Sequence, residues 1–266
     1  MEKNNFKQTI KFIGIILVVA IIIAIAVFKV IKYEVEGEKN MPFQLGKIIV
    51  ISSATINSAE ENNTAQTAED GTVKEENAEQ QIEKFIWNEN VIQTNDVYVY
   101  IDKNENNKEE QLIKNVKIEN IQFLKNVNIG KIQVYMPSSV EGVLYKYIND
   151  YVVNSTLTYR GAEKDDKKNL EIGNQGGCVY FSFANVGLPT YKSNEDTEIA
   201  QGAFILEKMG LNEDDLKFKV AFDLIIEVKD KSYKGTVTLD LPVNNVVGVK
   251  ETHTEITDFS NVIFKR

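Results

Sequence analysis

Cysteine and histidine occur once each in the 266 residues. Cys178, standing alone, closes no internal disulfide, so any fold must rest on a packed core. His253, equally alone, excludes sites that need two imidazoles. The chain also lacks a phosphate-cradling glycine loop, a paired metal motif, an internal repeat and a heptad run. Positive charge is scarce beyond the N-terminus. Five of the 30 basic and one of the 39 acidic residues fall in 1–32, leaving 25 and 38 behind, a charge of −13. A region so acidic repels nucleic acid and anionic lipid heads, and its scattered carboxylates keep it soluble.

Long apolar runs are absent too, with one exception. From Phe12 to Phe28 seventeen consecutive residues carry no charge, behind a tail holding Lys3, Lys7 and Lys11. With Val30 and Ile31 included and Lys29 reaching for the headgroups, residues 12–31 span about 30 Å as a helix, the thickness of a bilayer core. Ala24-Ile25-Ala26 also fits a secretory signal cut after Ala26. The apolar character continues past that point, which favours a retained anchor. A short basic tail at residues 1–11 is expected to stay in the cytoplasm and the domain behind the helix to lie outside.

Beyond the anchor, residues 32–46 read as a charged stalk and 47–266 as one β-rich domain. Lys47 to Ile56 is rich in Ile and Val and predicts a first strand. Residues 58–80 hold one large apolar side chain, Val73, which predicts a disordered loop. Phe85-Ile86-Trp87 and Val97 to Ile101 predict two strands around a turn at Thr94-Asn95-Asp96. Val116 and Ile118, then Ile121 and Phe123, alternate with a parity switch at Glu119-Asn120, as a β-bulge requires. Ile132, Val134 and Met136 continue the alternation to Pro137. Lys217 to Lys229 and Thr236 to Leu241 form the clearest hairpin.

One short helix is expected among these strands. Ser193 and Asp196 are spaced as a capping box, Ile199, Ala203 and Leu206 share a stripe, and Gly210 sits where a terminating glycine belongs. A second turn follows Asn212. Alternating strands with so little helix predict a mainly β domain, an antiparallel β-sandwich.

Candidate sites are few. Cys178 and His253 are the raw material of a thiol hydrolase or transpeptidase, yet Cys178 opens a strand, Val179 to Ala184, so no helix N-terminus activates it. Glu251, His253 and Glu255 share a face if extended and resemble part of a divalent-metal set. Asp102-Lys103-Asn104-Glu105-Asn106 starts like a calcium loop, but Asn107 stands where glycine is needed and Ile113 where a bidentate Glu belongs. Nine tyrosines lie between Tyr98 and Tyr191, and aromatic rows of this kind form sugar-binding platforms as readily as they fill strands. None of these sets implies a catalytic residue, a metal or a cofactor.

Several stretches, 36–43 (Glu-Gly-Glu-Lys-Asn-Met-Pro-Phe), 169–177 (Asn-Leu-Glu-Ile-Gly-Asn-Gln-Gly-Gly), 215–242 and the closing Val262-Ile263-Phe264-Lys265-Arg266, resemble uncharacterised single-pass anchored proteins of Gram-positive bacteria. The resemblance implies an anchor and one continuous soluble unit, and carries no site residue. The expected role is a non-enzymatic interaction or structural module of the cell envelope. Its partners are the bilayer, through residues 12–31, and an envelope protein or wall polymer, with no nucleic acid.

Overall fold

Alternation of apolar and polar side chains governs the chain from Phe43 onward. The computed structural model describes residues 17–23, 41–62, 86–137, 145–147, 156–161, 170–194 and 204–266. Among the described residues there are twelve strands: β1 (Phe43–Asn62), β2 (Ile86–Lys103), β3 (Ile113–Lys125), β4 (Lys131–Pro137), β5 (Tyr145–Tyr147), β6 (Leu157–Arg160), β7 (Leu170–Glu171), β8 (Gly177–Val186), β9 (Tyr191–Asn194), β10 (Phe218–Val228), β11 (Lys231–Leu241) and β12 (Glu251–Ile256). They form a seven-stranded sheet, ordered β12-β1-β2-β8-β4-β5 with β9 also on β2, and a five-stranded sheet, ordered β11-β10-β3-β6-β7. All pairings are antiparallel except β6 with β7. The domain is mainly β and sandwich-like.

The inner faces of the two sheets meet in one core. Val97, Val99, Val179, Phe181 and Phe183 of the larger sheet pack with Val116, Ile118, Phe218, Val220 and Phe222 of the smaller. Rings interlock edge to face across the gap, Phe181 on Phe222 at 5.4 Å and Phe183 on Phe218 at 5.8 Å. Each such buried side chain contributes about 1.5–3 kcal/mol. A satellite cluster extends the larger sheet beyond the sandwich, where Ala54 and Val91 receive Ile205, Leu206, Leu216 and Val246. Between the two clusters lies a buried polar layer. Ser52 donates to Asn95 Oδ1 at 2.8 Å, and Gln93 and Asn185 sit beside them at zero exposure.

Bulges set the register. Gly46 interrupts the β1–β2 ladder between Leu45 and Lys47, so that Leu45 and Ile48 both point inward. A Cβ at Gly46 would lie 1.9 Å from Asp102 Oδ2, so a larger residue there would make the exposed Asp102 side chain swing aside. The predicted parity switch in β3 is present: Asn120, at φ 52°, and Ile121 together face the single residue Phe222. The 217–241 hairpin is also present as β10 and β11, turning through Lys229 and Asp230.

Four expectations need correction. The stalk ends earlier than residue 46, because Met41 and Phe43 are buried and Asn104 N–H donates to the Pro42 carbonyl. Residues 58–62, expected within the disordered loop, are strand paired with 86–90; the remainder of that stretch, 63–80, lies outside the described residues. Thr94-Asn95-Asp96 makes no turn but runs straight through β2, its turn-prone side chains occupied by partners on neighbouring strands. The described part of the helix expected before Gly210 is a single turn, α1 (Ile205–Lys208), while the second turn expected after Asn212 is present as α2 (Glu213–Leu216). Ser193 is a buried strand residue whose hydroxyl donates to Glu89, so it caps nothing; Asp196, Ile199 and Ala203 lie outside the described residues. Gly210 does end α1, at φ 73°, with Leu211 N–H on the Leu206 carbonyl. Asn212 caps α2 through a reciprocal box with Asp215.

Of the apolar run 12–31, residues 17–23 are described and are helical. Among the described residues no helix is long and apolar enough to cross a membrane.

Candidate binding face on the larger sheet

Register places the outward side chains of the larger sheet in rows that cross three to five strands. One row reads Glu251, Ser53, Thr94, Ala184, Gln133 from β12 through β1, β2 and β8 to β4. The next reads His253, Ile51, Asp96, Ser182, Tyr135. Beyond it come Glu255, Ile49, Tyr98, Tyr180 and then Lys47, Tyr100, Cys178. Directly opposed residues of an antiparallel pair project to the same side, so these rows form one continuous surface.

A groove of about 840 Å³ runs over the first two rows. Ser53, Thr94, Asp96, Gln133, Tyr135 and Ser182 line it with hydroxyl, amide and carboxylate groups, and no described lining residue is cationic. Its floor is buried, Ser182 at 1% and Ala184 at 2% exposure, while Thr55 on the rim is exposed. Ser182 Oγ donates to Asp96 Oδ1 at 2.7 Å, which fixes the carboxylate in place. Ser53 and Thr94 hydroxyls lie 3.2 Å apart. Gln133 leaves its Oε1 without a hydrogen-bond partner, a costly state for a shielded acceptor.

Beside the groove, Tyr98 and Tyr180 stack at 4.5 Å with their rings 20° apart. Burial, and then the Asp96 charge, push the Tyr98 phenol up, so the ring stays neutral at physiological pH. Two tyrosines of the predicted aromatic row therefore do share a half-buried face. Tyr159 instead lies in the core, donating to the Tyr180 carbonyl.

The remaining candidate residues separate. Cys178 and His253 both face outward, but β1 and β2 stand between their strands, and three strand spacings are about 14 Å. Burial also pushes the Cys178 thiol up, away from the thiolate a nucleophile needs. Glu251, His253 and Glu255 do share the outward face of β12, with Glu255 paired to Lys47 at 3.0 Å. No group of three His, Cys, Asp or Glu among the described residues is placed to hold a metal ion. At the calcium-like segment, Asn104 is buried and turns its Oδ1 onto the Asn106 N–H, closing an Asx turn.

Sequence reasoning missed the groove because its residues come from four strands far apart in the chain. The local signals were the polar i, i+2 pairs Ser53/Thr55 and Thr94/Asp96, and a serine, Ser182, between the phenylalanines of β8. Comparison with family models, curated proteins and solved structures finds no match for the chain.

Proposed function

We propose that the chain is a single-pass anchored protein of the cell envelope whose β domain is a non-enzymatic binding module displayed outside the cell. The observation that carries this reading is the outward face of the larger sheet. It joins a groove of mixed polar and apolar lining and a buried floor to an adjoining aromatic pair, while the thiol and imidazole of the rival thiol-enzyme reading stand several strands apart. Convergent polar groups over a partly apolar floor are the makings of a ligand site.

The anchor is supported by the run 12–31 and by its described part. Leu17, Val18, Val19, Ile21, Ile22 and Ile23 are between 48% and 60% exposed, so this apolar helical segment is not packed into the domain. A lipid environment accounts for such a surface. Alkaline phosphatase fused after Arg266 tests the arrangement. Activity in intact cells is the expected result; a full-length fusion without activity overturns it, since the enzyme's disulfides do not form in the cytosol.

A further inference from the structure

We infer that β12, the outer strand of the larger sheet, is an association edge. A second copy of this chain adds its own β12 there, antiparallel, and joins two larger sheets into one. The inference goes beyond the binding-module reading and makes no use of the groove.

The edge is open. β12 pairs with β1 from Glu251 to Ile256 and has no strand on its other side among the described residues. Alternate residues of an antiparallel strand aim their N–H and C=O to opposite sides, so half of these groups point away from β1. Among the described residues no main-chain group outside the ladder bonds to them. Other edges are blunted: β11 is met at Lys234 by Lys265, and β5 and β7 hold three and two residues. β12 has no proline, no lysine and no bulge against β1, the usual guards of an exposed edge. Thr252, Thr254 and Ile256 are β-branched and favour the extended strand. Its remaining guard is the carboxylate pair Glu251 and Glu255, and this acts only in registers that oppose like charges.

Charge therefore selects the register. Two-fold pairing must set outward side chains against outward ones, since a slip by one residue would cross the faces. Centring the pair on His253 opposes Glu251 to Glu255 of the second copy, twice. Centring it on Glu255 opposes that carboxylate to itself. Centring it on Thr254 opposes His253 to Glu255 of the second copy at both ends of the seam, with Thr254 against Thr254 and Thr252 against Ile256. An imidazole donates to a carboxylate when neutral and pairs with it when charged. Glu255 already holds Lys47 at 3.0 Å, so each carboxylate would lie between two donors. Within its own domain His253 has Glu251 and Glu255 beside it on β12 and Ile51 across from it on β1. Whichever set of main-chain groups faces away from β1 finds its partner in this register. Antiparallel pairing also turns the domains end for end. Phe43 lies beyond the Ile48–Ile256 end of the ladder, so the two chains enter the pair from opposite ends.

The test is analytical ultracentrifugation of the full chain in phospholipid nanodiscs holding one copy each. Wild-type discs are expected to pair in the micromolar range, as suits a small edge-to-edge interface. H253E opposes two carboxylates at both positions, and E255K opposes two donors; each is expected to weaken pairing about tenfold. An equimolar mixture of the two variants is expected to restore it, because Glu then meets Lys, and His meets Glu, across one seam. K219A, on the smaller sheet, is expected to change nothing. Unfolding midpoints are read alongside, with H253D in place of H253E should that variant fail to fold. Discs that stay single at every concentration, variants that pair as well as wild type, or a mixture that pairs no better than its components overturns the inference. The phosphatase fusion tests the anchor alone, so the two readings fail separately.

Discussion

Asp223 shows how a charged residue survives inside a strand that reads as half apolar. It sits on the outward face of the smaller sheet at 3% exposure. Burial alone would push its carboxyl up, but hydrogen bonds from Lys234, Thr236 and Asn120 outweigh that and hold it below the ordinary carboxylate range. A depressed folded-state pKa stabilises the fold above the unfolded value, about 3.9, and the contribution fades as pH falls through the folded one. Replacing Asp223 with alanine should cost about 2 kcal/mol at pH 7, because three donors lose a charged acceptor. Urea midpoints of wild type and D223A should converge as pH is lowered from 7 to 3. A gap of equal size at both values would show that packing, not the carboxylate, matters there.

At the scale of elements, the legible parts of the sequence were those whose two faces differ. In β10 and β11 the alternation of Phe218, Val220 and Phe222 with Lys219 and Asp223 leaves one register that buries the apolar set. The bulge in β3 was legible for the same reason, since a parity switch records the extra residue. Asn95 and Asp96 were not. Their turn propensity is real, but Ser52 and Ser182, 43 and 86 residues away, satisfy them in an extended strand. Propensity yields there to long-range pairing. The α2 turn was legible from local chemistry, and its stability should be local too. Asn212→Ala removes the acceptor for Asp214 and Asp215 N–H and should lower stability by about 1 kcal/mol in urea unfolding. An unchanged midpoint would mean that Leu216, buried in the satellite cluster, holds the turn without its cap.

Across the whole molecule, the C-terminal segment ties the sheets together. β12 borders the larger sheet, and the chain after it crosses to the edge of the smaller one, where Lys234 and Lys265 exchange backbone hydrogen bonds. Phe264 lies against the bare face of Gly235, about 3.1 Å from where a Cβ would stand, and plugs that flank of the core. The edge of β11 is thereby paired at Lys234, which blunts it locally against pairing with another chain. The outward face of the smaller sheet is laced with ion pairs such as Lys219–Asp240 and Lys117–Glu227, whereas the outward face of the larger sheet carries the groove. The apolar run and the acidic remainder of the chain were enough to propose a tethered, soluble domain. The groove was not legible, because it exists only after four strands are set side by side.

The most direct test is whether that face is open and displayed to the outside. Thr55 lies on the exposed rim of the groove, and Cys178 is the only native thiol. In cells expressing the full chain with Cys178→Ser and Thr55→Cys, a membrane-impermeant maleimide should label the protein without lysis. Labelling that appears only after the membrane is broken would contradict the account.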